Sequence, residues 1–301
     1  LSAEWADFRG TAYVKGQMAA GGNSNNAVTD APTPISATEG TLYWAVHLGS
    51  SATGSGSMGG GQVSNPILVN GELIVYAGST LYRVNKDTGE TIKTGKMAGS
   101  SSFSINGPTY ADGMIFVALA KGVVQAFDAD SLESLWIYHD PLKGQPNCPI
   151  TVSNGYAYTG FWNSETGDAS FVCIPIADER PTASNEEKYA AWRHVQAGGF
   201  YWAGACVQNG VLLVGTDDGQ NSTSPVLSTG RVLLFDAATG ALLDEVGGIR
   251  GDVRSTICYD SGSNAYYATS KGGEFIRIKL DATGRKIASK QTLKLQNGTT
   301  R

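Results

Sequence analysis

The chain is 301 residues long, with 22 basic and 27 acidic residues, a formal net charge of −5 and only 16% charged residues. That balance, with no Lys/Arg-rich run, excludes the electrostatic footprint of a nucleic-acid binder. No apolar stretch approaches the roughly 20 residues a helix needs to span a bilayer, and 39 Gly with 13 Tyr favour short strands and tight turns over helices.

The chain begins at Leu1 without Met or a charged-then-apolar leader, and is read as a trimmed product whose signal sequence has been removed. Residues 1–40 read as a lead-in. "TLYWAVHLG" (41–49) reads as a strand and matches the pattern of "ESLWIYHD" (133–140). The Gly-rich "GSSATGSGSMGGGQV" (49–63) lacks the Gly-Lys-Ser/Thr ending of a phosphate loop and reads as a flexible connection.

From there the chain repeats itself. Asn70-Gly71, Asp112-Gly113, Asn154-Gly155 and Asn209-Gly210 each sit between two apolar runs, and the glycines step by 42, 42 and 55 residues. These dipeptides accept the positive φ of a type I′ hairpin turn. A fifth copy, "ICYDSGSNAYYATS" (257–270), keeps the strands and lengthens the turn. After each hairpin comes an apolar run, an Asp-x-x-Thr-Gly turn or a relative of it, and a second run, as in "RVLLFDAATGALLDEV" (231–246). The third copy carries an insertion, where "SNEE" predicts one helical turn capped by Ser184.

Each unit therefore predicts four antiparallel strands in about 42–55 residues, the size of a β-propeller blade. The expected fold is all-β: a propeller over 41–295 with blades at about 63–97, 105–140, 146–195, 201–248 and 254–295. Pro66, Pro108 and Pro149 recur at the innermost strands, whose edge position tolerates a missing N–H. The strand at 41–49 would close the last blade, with 296–301 a tail leading to blades not in this chain.

The repeat, with "EWADFRG", "VTDAPTP" (28–34) and "TLYWAVHLG", resembles the PQQ-like repeat of the quinoprotein alcohol dehydrogenase-like β-propellers, of the bacterial cell-surface and secreted type. The resemblance implies a ring of seven or eight blades, a bacterial extracellular or cell-surface location, and partners that complete the ring: further blades of the same polypeptide, or a second chain. In the dehydrogenases of that family the quinone stacks between a Trp and a disulfide of adjacent cysteines, beside a calcium held by Glu, Asn and Asp. Here Cys148, Cys173, Cys206 and Cys258 contain no adjacent pair, and no calcium triad maps onto matched positions. Neither PQQ nor its calcium is expected, and the cysteines read as buried free thiols.

Catalytic constellations are also missing. His47, His139 and His194 fall on outer strands of separate blades and do not converge. The candidate site is instead a pair of enlarged loops, "FWNSETGDAS" (161–170) and "TDDGQNSTSPVLSTG" (216–230), with "GGFYW" (198–202) on the same face. They bring Phe161, Trp162, Tyr201 and Trp202 toward Glu165, Asp168, Asp217 and Asp218. Aromatic platforms beside carboxylates suit sugar or peptide binding, and the carboxylates are also able to hold calcium. Arg250-Gly251-Asp252, an adhesion tripeptide in some proteins, lies in another loop of that face. The sequence thus leans to a non-catalytic binding platform for a carbohydrate, peptide or protein. The alternatives are a quinone-dependent or hydrolytic enzyme and a structural spacer of a surface protein.

Overall fold

A computed structural model describes residues 3–5, 42–49, 63–101, 107–221 and 227–295. Among them every regular element is a strand. β1 (Ala3–Trp5) comes first, then blade one: β2 (Ile67–Val69), β3 (Glu72–Ala77), β4 (Thr80–Asn85) and β5 (Thr91–Lys96). Blade two is β6 (Thr109–Ala111), β7 (Met114–Leu119), β8 (Val123–Asp128) and β9 (Ser134–His139). Blade three is β10 (Thr151–Ser153), β11 (Tyr156–Gly160), β12 (Asp168–Pro175) and β14 (Trp192–Ala197), with β13 (Glu186–Lys188) inserted between its last two strands. Blade four is β15 (Cys206–Gln208), β16 (Val211–Gly215), β17 (Thr229–Asp236) and β18 (Leu242–Arg250). Blade five is β19 (Cys258–Asp260), β20 (Ala265–Thr269), β21 (Glu274–Leu280) and β22 (Ile287–Lys294). Each blade is an antiparallel meander in chain order.

The turns adopt the geometry their residues call for. Asn70 and Gly71, Asp112 and Gly113, Asn154 and Gly155, and Asn209 and Gly210 all have positive φ, between 49° and 81°, as type I′ turns require. In the Asp-x-x-Thr-Gly turn the Asp236 carboxylate accepts the backbone N–H groups of Ala238 (3.1 Å) and Thr239 (2.9 Å). Asn85 and Asp128 do the same in blades one and two.

The third strand of an inner blade is buried on both faces, so its sequence is a continuous apolar run rather than an alternation. Val172 and Ile174 enter the core shared by blades one to three, while Phe171 and Cys173 enter the core between blades three and four. In β17, Leu233 and Phe235 face blade three, and Val232 and Leu234 face blade five. Packing such stacked faces at about 25 cal/mol per Å² is the main source of stability.

Three details depart from expectation. Residues 42–49 carry no strand; an outer strand needs a third strand to pair with, and each third strand here is already paired on both sides. The segment instead docks on blade one: Trp44 Nε1 donates to Lys86 O at 2.9 Å, and its ring lies where a Cβ on Gly89 would be, 2.5 Å away. Trp192 of blade three docks on blade four in the same way, donating to Ala237 O at 2.9 Å and covering Gly240 at 2.5 Å. Second, the "SNEE" segment forms no helical turn. Glu186–Lys188 becomes β13, which pairs parallel with β9, the outer edge of blade two. The unpaired backbone groups of that edge outweigh one marginal helical turn, and the buried Glu186 and Lys188 are compensated by the Arg180 N–H and by Glu179. Third, β1 adds antiparallel to β2, on the inner edge of blade one.

Candidate functional site

The connections leaving the second and fourth strands of blades three to five gather on one face, joined by backbone hydrogen bonds that step from blade to blade. Phe200 N–H donates to Phe161 O (2.9 Å), Asp217 N–H to Gly199 O (3.1 Å), Val253 N–H to Thr216 O (3.0 Å) and Lys271 N–H to Asp252 O (2.9 Å). These bonds hold each loop against the next and position the side chains above them.

At the centre stands Arg254, which no sequence motif had marked. Its Nε and Nη2 donate to the two oxygens of Asp217 at 3.0 and 2.7 Å. The same Nη2 lies 3.0 Å from Asp252 and 3.6 Å from Glu165. Lys271 adds a second cation 3.5 Å from Asp252. The Asp217 side chain is 0% exposed, that of Asp252 5%, and that of Glu165 45%. Three carboxylates therefore share two cations. Burial, reinforced by Asp252 and Glu165, raises the Asp217 carboxyl to about 7, overriding the pull of Arg254 in the opposite direction.

Above this cluster the aromatic rings form a run. The Trp162 and Tyr201 centroids are 4.7 Å apart, and Tyr201 stacks on Trp202 at 4.4 Å and 26°. The Arg254 guanidinium lies 4.5 Å from the Tyr201 ring centre and 5.9 Å from that of Trp202, a cation–π arrangement that ties the rings to the charge cluster. Trp202 has φ 60°, a region unfavourable for a bulky side chain, and strain of this kind concentrates at functional sites. All three aromatic residues are partly exposed.

Of the eight residues singled out from sequence, Trp162, Glu165, Tyr201, Trp202 and Asp217 meet around Arg254. Asp218 lies at the margin; its N–H donates to Asp252 Oδ1 at 3.2 Å, and its own Oδ2 is buried without a partner. Phe161 does not belong: it is 0% exposed and packs in the core of blades one to three. Asp168 stands exposed at the start of β12, its backbone carbonyl bonded to Asn163 Nδ2 (2.7 Å). The Arg250-Gly251-Asp252 tripeptide is not presented to solvent. Gly251 is knitted to Ser228 and Gly230, and the Asp252 carboxylate is buried and spent on Arg254 and Lys271. Asp252 thus joins the cluster as a structural ion-pair partner.

Two groups implied by the resemblance can be tested against these residues. The quinone site does not fit: no two cysteines are adjacent, and none of the four is in a disulfide. Cys148 and Cys173 of blade three and Cys206 of blade four are buried, the first donating to Phe200 O at 3.1 Å. The carboxylates of Glu165, Asp217 and Asp252 lie within 4.8 Å of one another, as a cation site would require. Arg254, however, holds the cation position, so a calcium ion enters only if the guanidinium leaves.

A family described as outer membrane protein assembly factor BamB matches residues 33–162, less than half of the chain. Among solved structures, a quinohemoprotein alcohol dehydrogenase from Pseudomonas putida superposes with a TM-score of 0.54 at 14% identity, over 76% of this chain and 41% of that one. The enzyme of the same description from Comamonas testosteroni gives 0.53 at 15% identity, over 76% and 42%. The chain has the β-propeller fold, and residues 33–162 are similar to the PQQ-like repeat family. This propeller spans about two fifths of the length of those dehydrogenases, and at such identities the likeness is one of fold. BamB from Moraxella catarrhalis is similar with a TM-score of 0.49 at 12% identity, over 75% of this propeller and 62% of that chain. No curated protein matches the sequence. Among the described residues no helix is long and apolar enough to cross a membrane.

Proposed function

We propose that this propeller is a non-catalytic binding platform of an exported bacterial protein, and that its ligand, a carbohydrate or a peptide, lies on the face of blades three to five. The reading rests on the aromatic run of Trp162, Tyr201 and Trp202, partly exposed to solvent, with Arg254 packed beneath Tyr201 and Trp202. Rigid aromatic surfaces bind sugar rings and extended peptides at low entropic cost. The outer-membrane description of the matching family supports the exported location.

The test is intrinsic tryptophan fluorescence during titration with glycan and peptide panels. A ligand that quenches the native protein should lose binding in Trp162→Ala and in Tyr201→Ala, with melting temperature unchanged. A ligand bound equally well by both variants would move the site elsewhere. Turnover in a dye-reduction assay supplied with quinone and calcium would overturn the non-catalytic reading.

Completion of the ring belongs to the same proposal. Trp44 docks on blade one with the geometry Trp192 uses on blade four, which supports residues 42–49 as the outer element of a blade preceding blade one. The strands that complete that blade come from elsewhere in the polypeptide or from a second copy. The native mass of the purified chain separates the two: a monomer excludes the second copy.

A further inference from the structure

Away from the aromatic face, the insertion in blade three builds a second concavity on the outer rim. By crossing to pair with β9, β13 leaves a cleft of about 350 Å³ between blades two and three. Its lining includes Tyr138, His139 and Pro141 on one side and Glu187, Tyr189 and Arg193 on the other. The volume falls at the lower end of the range for small-molecule sites, roughly 300–1,000 Å³.

The polar groups of this cleft are unequal. Lys188 is committed: its side chain is 4% exposed, and its ammonium is held by Ala177 O, by Glu179 at 3.5 Å and by the Trp136 ring face. The Asp140 carboxylate, between the lining residues His139 and Pro141 in the chain, is spent on Tyr138 OH (3.1 Å) and Leu142 N–H (3.0 Å). Glu187 accepts the Tyr189 hydroxyl. Arg193 differs. Its contact is a 3.3 Å bond from Nη1 to Ser170 Oγ, and among the described residues no carboxylate pairs with it. An exposed guanidinium fork with most of its donors unused is matched by a carboxylate, which takes two parallel N–H bonds. Tyr189, 71% exposed at the mouth, offers a ring face for the body of such a molecule, and His139 stands opposite.

We propose that the rim cleft binds a small ring-bearing carboxylate, with the carboxylate on Arg193 and the ring over Tyr189. Sugar acids and aromatic acids share this chemistry. The test uses the full chain in calorimetric titration, with glucuronate against glucose and benzoate against benzamide, so that charge is separated from ring type. At least one acid should bind about tenfold more tightly than its neutral isostere. Arg193→Gln should erase that preference, and Tyr189→Ala should weaken acid and isostere alike. Melting curves confirm that these exposed substitutions leave the fold intact. Equal binding of acid and isostere, a preference that survives Arg193→Gln, or no binding of either acid at millimolar concentration would each overturn the assignment. Trp162→Ala should change none of these results, so failure here and failure of the aromatic face are read separately.

Discussion

Replacing Arg254 by Met tests the charge cluster most directly. Met keeps the length of the stem over Tyr201 and removes the guanidinium. Asp217, bidentate and 0% exposed, then faces Asp252, 5% exposed, with Lys271 as the one remaining cation among the described partners. Removing one member of a buried pair typically costs about 3–5 kcal/mol, because the other charge stays behind without compensation. The Glu165 arm, 45% exposed, adds at most about 1 kcal/mol. The cost depends on pH with a definite sign. The folded-state pKa of Asp217 is already raised, so its contribution to stability is full below the unfolded value and is lost as pH climbs through about 7. Without Arg254 the carboxyl takes up its proton more readily still. Urea unfolding of both proteins should therefore show about 3–5 kcal/mol of destabilisation at about pH 8 and clearly less at about pH 5. Adding Asp217→Asn to the variant should recover part of the loss at the higher pH. A loss under about 1 kcal/mol, or an equal loss at both pH values, would refute the argument.

Other consequences are equally open to measurement. Gly240→Ala places a methyl 2.5 Å from the Trp192 ring at φ 72°, whereas Gly284→Ala meets nothing within 4 Å at φ 67°. The first should cost about 2–4 kcal/mol and the second only the backbone share, about 1–2, in parallel denaturant titrations. Trp44→Ala removes a hydrogen bond and a ring contact to blade one, and should speed proteolysis within 42–49 without changing cleavage in blades three to five. Burial raises the thiols of Cys148, Cys173 and Cys206, the second to about 12. In the native protein a thiol reagent should therefore label Cys258, the partly exposed one, and reach the others only on unfolding.

The blades were legible because their signals are local. An Asn-Gly pair between apolar runs can only turn, and an Asp two residues before backbone donors closes its own loop. Runs such as "VLLF" and "FVCI" follow from burial on both faces. What escaped prediction is long-range. The parallel pairing of β13 has no signature in Glu186–Lys188 itself, since its cause is an unpaired edge about 50 residues earlier. Phe161 and Trp162 look alike as a pair of aromatics, yet alternation at the end of β11 sends one into the core and leaves the other on the face. Arg254 was invisible as a single basic residue in "GDVRST". A face collecting Glu165, Asp217 and Asp252 nevertheless demands a buried cation, and that demand would have been the clue. Leu132, at φ 55° where other copies carry Gly, shows that the turn tolerates a side chain when that side chain is buried.

The crossing strand of blade three also bears on how the protein stays dispersed. Four of the outer strands carry charge on the rim: Lys93 and Lys96 in β5, Arg193 in β14, Asp244 and Glu245 in β18, and Lys290 and Lys294 in β22. Such charges discourage edge-to-edge association. The fifth, β9, reads Ser-Leu-Trp-Ile-Tyr-His and has no acidic residue, Lys or Arg at all, the composition most prone to template amyloid-like stacking. It is this strand that β13 covers, laying Glu186, Glu187 and Lys188 along its hydrogen-bonding edge. The insertion thereby guards the most aggregation-prone segment of the rim with a strand borrowed from the neighbouring blade.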